Sequence, residues 1–304
     1  MAHLNKTVIS IAGPTAIGKT SLSIELAKAF ETEIISSDSR QFFKEMSIGT
    51  AVPSREELAA APHHFIQHIS IKDYYSVGDF ERDALQKAEE IFKTRDTLIL
   101  VGGSGLYTKS FLEGLDDFPE VDTGIRENLN QKILDGGIEP LQKQLQELDP
   151  EYYKDVDFQN PHRLVRALEI CIGTGRPYSS FLNRKKNNRD FDVISIGLTA
   201  PRKTIYTRIN TRVDQMMDTG LLEEARKLLP YRNLNALNTV GYKELFQYFD
   251  DQLSLEEAVE EIKKNTRRFA KRQLTWFRKN ENITWFDYQT SHEEIMKFIN
   301  SGKR

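Results

Sequence analysis

Four stretches of the chain carry short apolar runs rich in β-branched residues, the pattern of strands buried on both faces. They are Thr7-Val8-Ile9-Ser10-Ile11-Ala12, Glu33-Ile34-Ile35-Ser36-Ser37, Thr97-Leu98-Ile99-Leu100-Val101 and Asp192-Val193-Ile194-Ser195-Ile196-Gly197-Leu198. Helical patterns separate the first three, and the helix after the first strand carries Leu22, Ile24, Leu26, Ala27 and Phe30. Between the third and fourth strands the pattern changes. From Asp116 to Asp190 there is no comparable strand, only helix-like pieces around Ile125–Leu134, Leu141–Leu148 and Pro161–Ile172. Turns are expected at Gly136-Gly137 and Gly173-Thr174-Gly175, and the polar run from Asn183 to Asp190 closes the stretch. The pattern predicts an α/β fold, a parallel sheet flanked by helices, with an inserted all-helical domain over 116–190. The core takes residues 1–115 and 191–304, the last part again mostly helical, and no internal repeat is visible.

Composition adds limits. The 304 residues are 39% hydrophobic and 29% charged, as expected of a soluble globular protein. No apolar run approaches the ~18 residues of a membrane span, and the first strand begins too early to leave room for a signal peptide. A cytoplasmic location is expected. The single cysteine, Cys171, excludes an intrachain disulfide and a cysteine zinc cluster, and its apolar neighbours predict a small buried hydrophobe.

The net charge of −3 argues against a nucleic-acid partner, but its distribution argues for one. Of the 42 Lys and Arg residues, eight lie between Lys263 and Lys279 with no Asp or Glu among them. The other 287 residues therefore set 34 basic groups against 45 acidic ones. Within the run, Lys264, Arg267, Arg268, Lys271, Arg272 and Arg278 fall on one helical face, and Ile262, Phe269, Ala270, Trp276 and Phe277 on the other. The apolar face is expected to pack on the core. A basic face without interspersed acids gains no i,i+4 pairs, so a phosphate-rich polymer is its natural counterpart. His162, Arg163 and Arg166 add charge near the start of a helix marked by Asn160-Pro161, where a plain solvated surface is as good an account.

Gly13-Pro14-Thr15-Ala16-Ile17-Gly18-Lys19-Thr20 matches G-x-x-x-x-G-K-[ST] between a strand and a helix, the context that makes the pattern a phosphate-binding loop. The expected core is thus P-loop NTPase-like. The glycines let successive N–H groups converge on one anion, and the helix N-terminus adds partial positive charge. Lys19 supplies a full charge, and Thr20 is placed to ligate Mg²⁺. Kinases and ATPases usually carry an Asp after a later strand to hold the metal. Here the third strand runs instead into Gly102-Gly103-Ser104-Gly105-Leu106-Tyr107. The only acid closing a strand is Asp38, readable as a metal ligand, a general base or a helix N-cap. Its place at the ligand edge of a parallel sheet favours a functional role.

Taken together, six segments resemble the tRNA dimethylallyltransferases (tRNA isopentenyltransferases) of bacterial type, over nearly the whole chain. They are the phosphate loop, Asp38-Ser39-Arg40-Gln41, Met46-Ser47-Ile48-Gly49-Thr50-Ala51, Gly102 to Tyr107, Gly241-Tyr242-Lys243-Glu244, and Ala270 to Arg278. The resemblance implies transfer of a dimethylallyl group from dimethylallyl diphosphate to N6 of the adenosine 3′ to the anticodon of tRNA, with Mg²⁺. It implies that Asp38 accepts the N6 proton, and that Lys19, Thr20 with its metal, the loop amides and Arg212 stabilise the leaving diphosphate. Family tRNA contacts map onto Asp38, Ser39, Arg40, Gln41, Ser104 and Arg126. They continue through His162, Arg163, Leu164, Val165 and Arg166 to Lys271, Arg272, Gln273, Trp276 and Arg278. Two positions depart from the family: Ser104 replaces the usual Thr and keeps the hydroxyl, while Phe43 replaces a common Tyr and loses one. A eukaryotic zinc-finger extension is not expected, and a monomer is. The competing readings are a prenyltransferase of free adenine nucleotides, a small-molecule P-loop kinase and a non-catalytic RNA-binding protein.

Overall fold

The computed structural model describes residues 6–182 and 189–302. The chain opens with strand β1 (Thr7–Ala12), helix α1 (Lys19–Ala29), β2 (Ile34–Ser36), α2 (Arg55–Ala60) and the two-residue β3 (His63–His64). Then come α3 (Val77–Ile91), β4 (Thr97–Val101) and α4 (Gly105–Glu113). Four helices follow without a strand: α5 (Thr123–Gly136), α6 (Glu139–Leu148), α7 (Pro150–Asp155) and α8 (Pro161–Thr174). The sheet resumes with β5 (Asp192–Thr199), α9 (Arg202–Asp218), α10 (Leu221–Leu228), α11 (Tyr242–Phe249) and α12 (Leu255–Phe277). The last elements are β6 (Thr284–Asp287) and α13 (His292–Gly302).

All six strands pair in parallel, in the order β3-β2-β4-β1-β5-β6. Side chains alternate across the sheet. Ile9, Ile11, Ile34, Ile99 and Ile196 pack with α1, α9 and α13, and Val8, Ile35, Leu98 and Leu100 pack with Phe80, Ala84 and Phe111 of α3 and α4. Every residue of β1 is buried, which explains why it carries no charge and, apart from Thr7 and Ser10, only apolar side chains. A separate apolar cluster joins α9 to α12 around Leu221, Tyr242, Leu245 and Ile262.

Two strands escape the sequence pattern. The β3 segment is only two residues long, and β6 is a four-residue edge strand whose ends are exposed, so neither shows an apolar run. Helix α7 was also missed; its first residue is Pro150, and the Asp149 carboxylate caps it through Tyr152 N.

The chain divides into two compact units, Met1–Glu113 with Arg189–Arg304, and Gly114–Asn188. In the second, Leu129, Leu141, Leu145, Leu164 and Leu168 form the core between α5, α6 and α8. Helix α8 passes through Gly173, whose missing side chain makes room for Val121, and stops at Gly175 in the left-handed region (φ 66°). The expected turn thus begins two residues late. Most of the polar run, residues 183–188, lies outside the described residues. Arg189 at its end is not solvated: it pairs with Glu81 at 2.6 Å and donates to the carbonyls of Ser110 and Phe111.

Candidate active site

The site lies at the carboxyl ends of β1, β2 and β4. Register sets it: Ile11 pairs with Val101, and Val101 with Ser36, so the three strands finish level. The phosphate loop leaves β1 here. Gly13 (φ 145°) allows the first bend, and a Cβ there would lie 2.7 Å from Leu198 O. Ala16 holds a left-handed conformation unusual for a side-chain residue (φ 63°), and its carbonyl receives Arg208 Nε at 2.7 Å. Lys19 donates to the carbonyls of Gly13 (3.0 Å) and Pro14 (2.8 Å). Burial lowers its pKa to about 8, with Asp38 opposing and Arg212 adding to the shift.

Asp38 stands across β4 from this loop. The intervening Gly102 is what permits the approach: a Cβ there would sit 2.3 Å from Ser37 Oγ and 2.8 Å from Asp38 N. An acidic side chain at position 102 itself would meet the same atoms. No helix begins at Asp38, so the N-cap reading is wrong. Its Oδ1 instead accepts from Arg40 N at 3.2 Å within a turn closed by Gln41 N donating to Asp38 O. Arg40 and Arg212 both face the carboxylate. Burial lowers the pKa of each guanidinium, and Asp38 is the largest opposing influence on both.

Two cavities meet at these residues. A crevice of about 480 Å³ runs along the phosphate loop and is lined by Thr15 to Ser21, Asp38, His63, Arg208 and Arg212. A smaller cavity of about 60 Å³ is lined by Val213, Met216, Leu221, Ile262, Phe269 and Gln273, among others. Thr15, Ala16, Asp38 and Arg212 line both. One carboxylate thus stands between a cationic phosphate cradle and a mainly apolar pocket. Thr20 lines the crevice, and among the described residues its hydroxyl has no hydrogen-bond partner.

Other expected residues gather around Asp38. Ser104 Oγ accepts from Ser39 N (3.1 Å) and lies 2.9 Å from Ser39 Oγ, which uses the hydroxyl that this position keeps. Gln41 Nε2 donates to the carbonyls of Ala51 (2.8 Å) and Thr50 (3.3 Å). The Arg40 guanidinium lies 4.0 Å from the centre of the Phe269 ring. Glu224, which lies in no motif, ties two motifs together. Its carboxylate accepts from the N–H groups of Ser47, Ile48 and Gly49 and from the Tyr242 hydroxyl, and Tyr242 fills the space above Gly49. Arg208 was also overlooked, although its four-residue spacing from Arg212 puts both on one face of α9.

Helix α12 needs three corrections. Lys263 pairs with Asp214 of α9 and Glu260, and Lys264 with Glu261, so an acid of α9 and two of the preceding turn neutralise the start of the basic stretch. The charges that keep no carboxylate partner among the described residues are Arg267, which donates to the Asn210 side-chain amide instead, and Arg268, Lys271, Arg272, Arg278 and Lys279. Trp276 is not a core residue: it is 43% exposed, with its indole against Gly105. Gln273, expected at the RNA, is 5% exposed and faces inward. The register explains both, because Ala270, Gln273 and Phe277 mark the buried stripe and Trp276 lies beside it.

The helical unit also divides its expected contacts. Leu164 and Val165 are buried between the helices, because α8 turns this face toward α5 and α6. They are core residues. His162 and Arg163 are exposed. Arg126 and Arg166 converge on buried Glu169 at 2.7 and 3.0 Å. Burial alone would raise the pKa of Glu169, but the hydrogen bonds from the two arginines outweigh it and hold the carboxyl below its ordinary value. Cys171 is buried on the same helix, and no helix among the described residues is long and apolar enough to cross a membrane.

Comparison with known proteins agrees with this geometry. Residues 41–280 match the family model for IPP transferase. The chain is 64% identical to the tRNA dimethylallyltransferase of Christiangramia forsetii over 298 residues, 98% of this chain and 99% of that one. It is 59% identical to that of Flavobacterium johnsoniae over 97% of both chains. Among solved structures it resembles the full-length tRNA isopentenylpyrophosphate transferase of Bacillus halodurans (38% identity, TM-score 0.73, covering 97% of this chain and 96% of that one). A eukaryotic dimethylallyltransferase acting on tRNA superposes with a TM-score of 0.77 at 28% identity, over 93% of this chain and 74% of the other.

Proposed function

This chain belongs to the IPP transferase family and is an enzyme that transfers a dimethylallyl group to tRNA, and we propose that Asp38 and the phosphate loop divide the work of that reaction between them. The acceptor is the adenosine 3′ to the anticodon. The observation that carries the division is the position of Asp38, which lines both the phosphate crevice and the adjoining apolar cavity.

The diphosphate of dimethylallyl diphosphate sits against the loop amides of residues 13–20, with Lys19, Arg208 and Arg212 around it. Its short hydrocarbon tail suits Val213, Met216, Leu221 and Ile262. The adenine N6 attacks the allylic carbon, the C–N bond forms as the C–O bond to diphosphate breaks, and the N6 proton passes to the Asp38 carboxylate. A neutral exocyclic amine is a weak nucleophile, so a carboxylate aligned on it both orients and deprotonates it. Charge appears on the departing diphosphate, where fixed cations and amides stabilise it most. The target base must leave its stack to reach Asp38.

Mg²⁺ fits this site in one manner. Among the described residues no group of three His, Cys, Asp or Glu side chains could cage a metal. Mg²⁺, however, commonly takes one protein oxygen together with substrate phosphates and water. The unpartnered Thr20 hydroxyl would be that oxygen, and the ion would offset charge on the leaving diphosphate. The tRNA contacts are proposed at Ser39, Ser104 and Trp276, at the unpaired cations of α12, and at His162 and Arg163 of the helical unit.

Purified protein given labelled dimethylallyl diphosphate, Mg²⁺ and unmodified tRNA is expected to place label in the tRNA, and none in AMP. Asp38→Asn should lower kcat roughly 10²–10⁴-fold, the usual contribution of a general base, with tRNA affinity nearly unchanged. Equal losses in both would make Asp38 a binding residue.

A further inference from the structure

Gln273 is the one polar side chain of α12 that is buried, and both ends of its amide are engaged. Its Oε1 accepts from Thr15 N at 2.9 Å, and its Nε2 donates to Gly103 O at 3.0 Å. One partner is an N–H donor and the other a carbonyl, so the orientation of the amide is unambiguous. Gly103 has no side chain because the amide occupies that place: a Cβ would lie 2.3 Å from Gln273 Nε2 and 3.3 Å from Asp38 Oδ2. A single buried group therefore spans from the phosphate loop to the loop beside Asp38, at the wall of the apolar cavity.

We propose that Gln273 is a positioning residue that sets the distance and direction between the phosphate loop and Asp38, and so aligns the acceptor amine with the carbon–oxygen bond that breaks. Displacement needs the nucleophile, carbon and leaving oxygen nearly in line, and the two loops that hold the ends of this array come from different strands. Between them lies the loop after β4, whose Gly102 and Gly103 have no side chains to pack there and which is tied to the Asp38 loop by Ser39 N donating to Ser104 Oγ. The amide replaces that packing with two directional hydrogen bonds. An apolar side chain of the same length would fill the volume but hold neither loop. The proposal rests on Asp38 and the phosphate loop bracketing the reacting carbon.

Misalignment has its own chemical signature. When the amine is displaced, water can take the allylic carbon instead, forming dimethylallyl alcohol and diphosphate with the same C–O bond broken. The experiment measures both products from labelled dimethylallyl diphosphate in the complete protein with tRNA, for wild type and Gln273→Met. We expect kcat for transfer to fall about 10–100-fold, the scale of a misplacement near 1 Å. The ratio of alcohol to modified tRNA should rise, while tRNA affinity and its salt dependence stay unchanged. Gly103→Ala displaces the amide without altering Gln273 and should raise the ratio likewise; because its Cβ would also lie 3.3 Å from Asp38 Oδ2, the double variant is what isolates the amide. In the double variant the effects should not add, because both act through one contact. An unchanged ratio in Gly103→Ala, or tRNA affinity falling in step with transfer in Gln273→Met, would overturn the proposal. A silent Asp38→Asn would instead remove the reading on which it rests.

Discussion

Lys19 illustrates how a residue can be placed by sequence and still have its behaviour decided by surroundings. Its ammonium is satisfied by two carbonyls of its own loop, yet burial has already brought its pKa to about 8. A diphosphate beside it favours the charged form, so its pKa must rise when that ligand binds. The sign follows: below pH 8 the lysine is mostly charged already, and above it a proton must be taken up on binding. Diphosphate affinity should therefore weaken as pH rises through about 8. Calorimetry at pH 8.5 in two buffers of different ionisation enthalpy should show net proton uptake in wild type and much less in Lys19→Met. Equal uptake in both would assign the proton elsewhere. Gly102 and Gly49 are the opposite kind of residue: they act through what they lack, admitting Ser37 and Tyr242 respectively.

At the scale of the element, α12 performs three tasks from two faces, its buried stripe and its outer side. Ala270 and Phe277 anchor it, Gln273 reaches the phosphate loop, and Arg268, Lys271, Arg272 and Arg278 face outward. The acids that neutralise Lys263 and Lys264 confine the free positive charge to its last turns. Lys271→Glu should then weaken tRNA binding and flatten the dependence of log K on log salt by about 1, one phosphate contact being worth about 0.7–0.9. Lys263→Glu should leave that slope nearly unchanged, and equal slopes for the two variants would contradict the assignment. The charge pattern of this helix was readable from the chain. Its division into paired and unpaired turns was not, because Asp214 on α9 contributes to it.

At the scale of the whole molecule, the helical unit has its own core and its own electrostatic lock. Arg126 of α5 and Arg166 of α8 close on Glu169, whose pKa is held below its ordinary value despite burial. A carboxylate with a depressed folded pKa adds stability that is full above its unfolded value, near 4.3, and is lost as pH falls through the folded one. Glu169→Gln should destabilise this unit by about 1.5–3 kcal/mol at pH 7, the range for hydrogen bonds to a charged group. The deficit should shrink as the pH drops below the ordinary carboxylate range. Hydrogen exchange across α5 and α8 would read it, and protection equal to wild type at pH 7 would refute it.

What the sequence determined by itself was whatever depends on neighbours along the chain. Alternating or continuous apolar runs placed β1, β2, β4 and β5, and glycine spacing ahead of Lys19 identified the phosphate loop, because strand, loop and helix follow one another within fourteen or so residues. The order of six short motifs was enough to indicate the family. What only the tertiary structure decided was which side chains are spent on one another. Leu164 and Val165 proved to be core, Trp276 surface and Gln273 a buried brace, because one helical face is apolar only relative to what packs on it. Glu224 and Arg208 emerged for the same reason: the groups they hold lie on distant stretches of chain, and hydrogen bonds of that kind leave no periodic trace in the sequence.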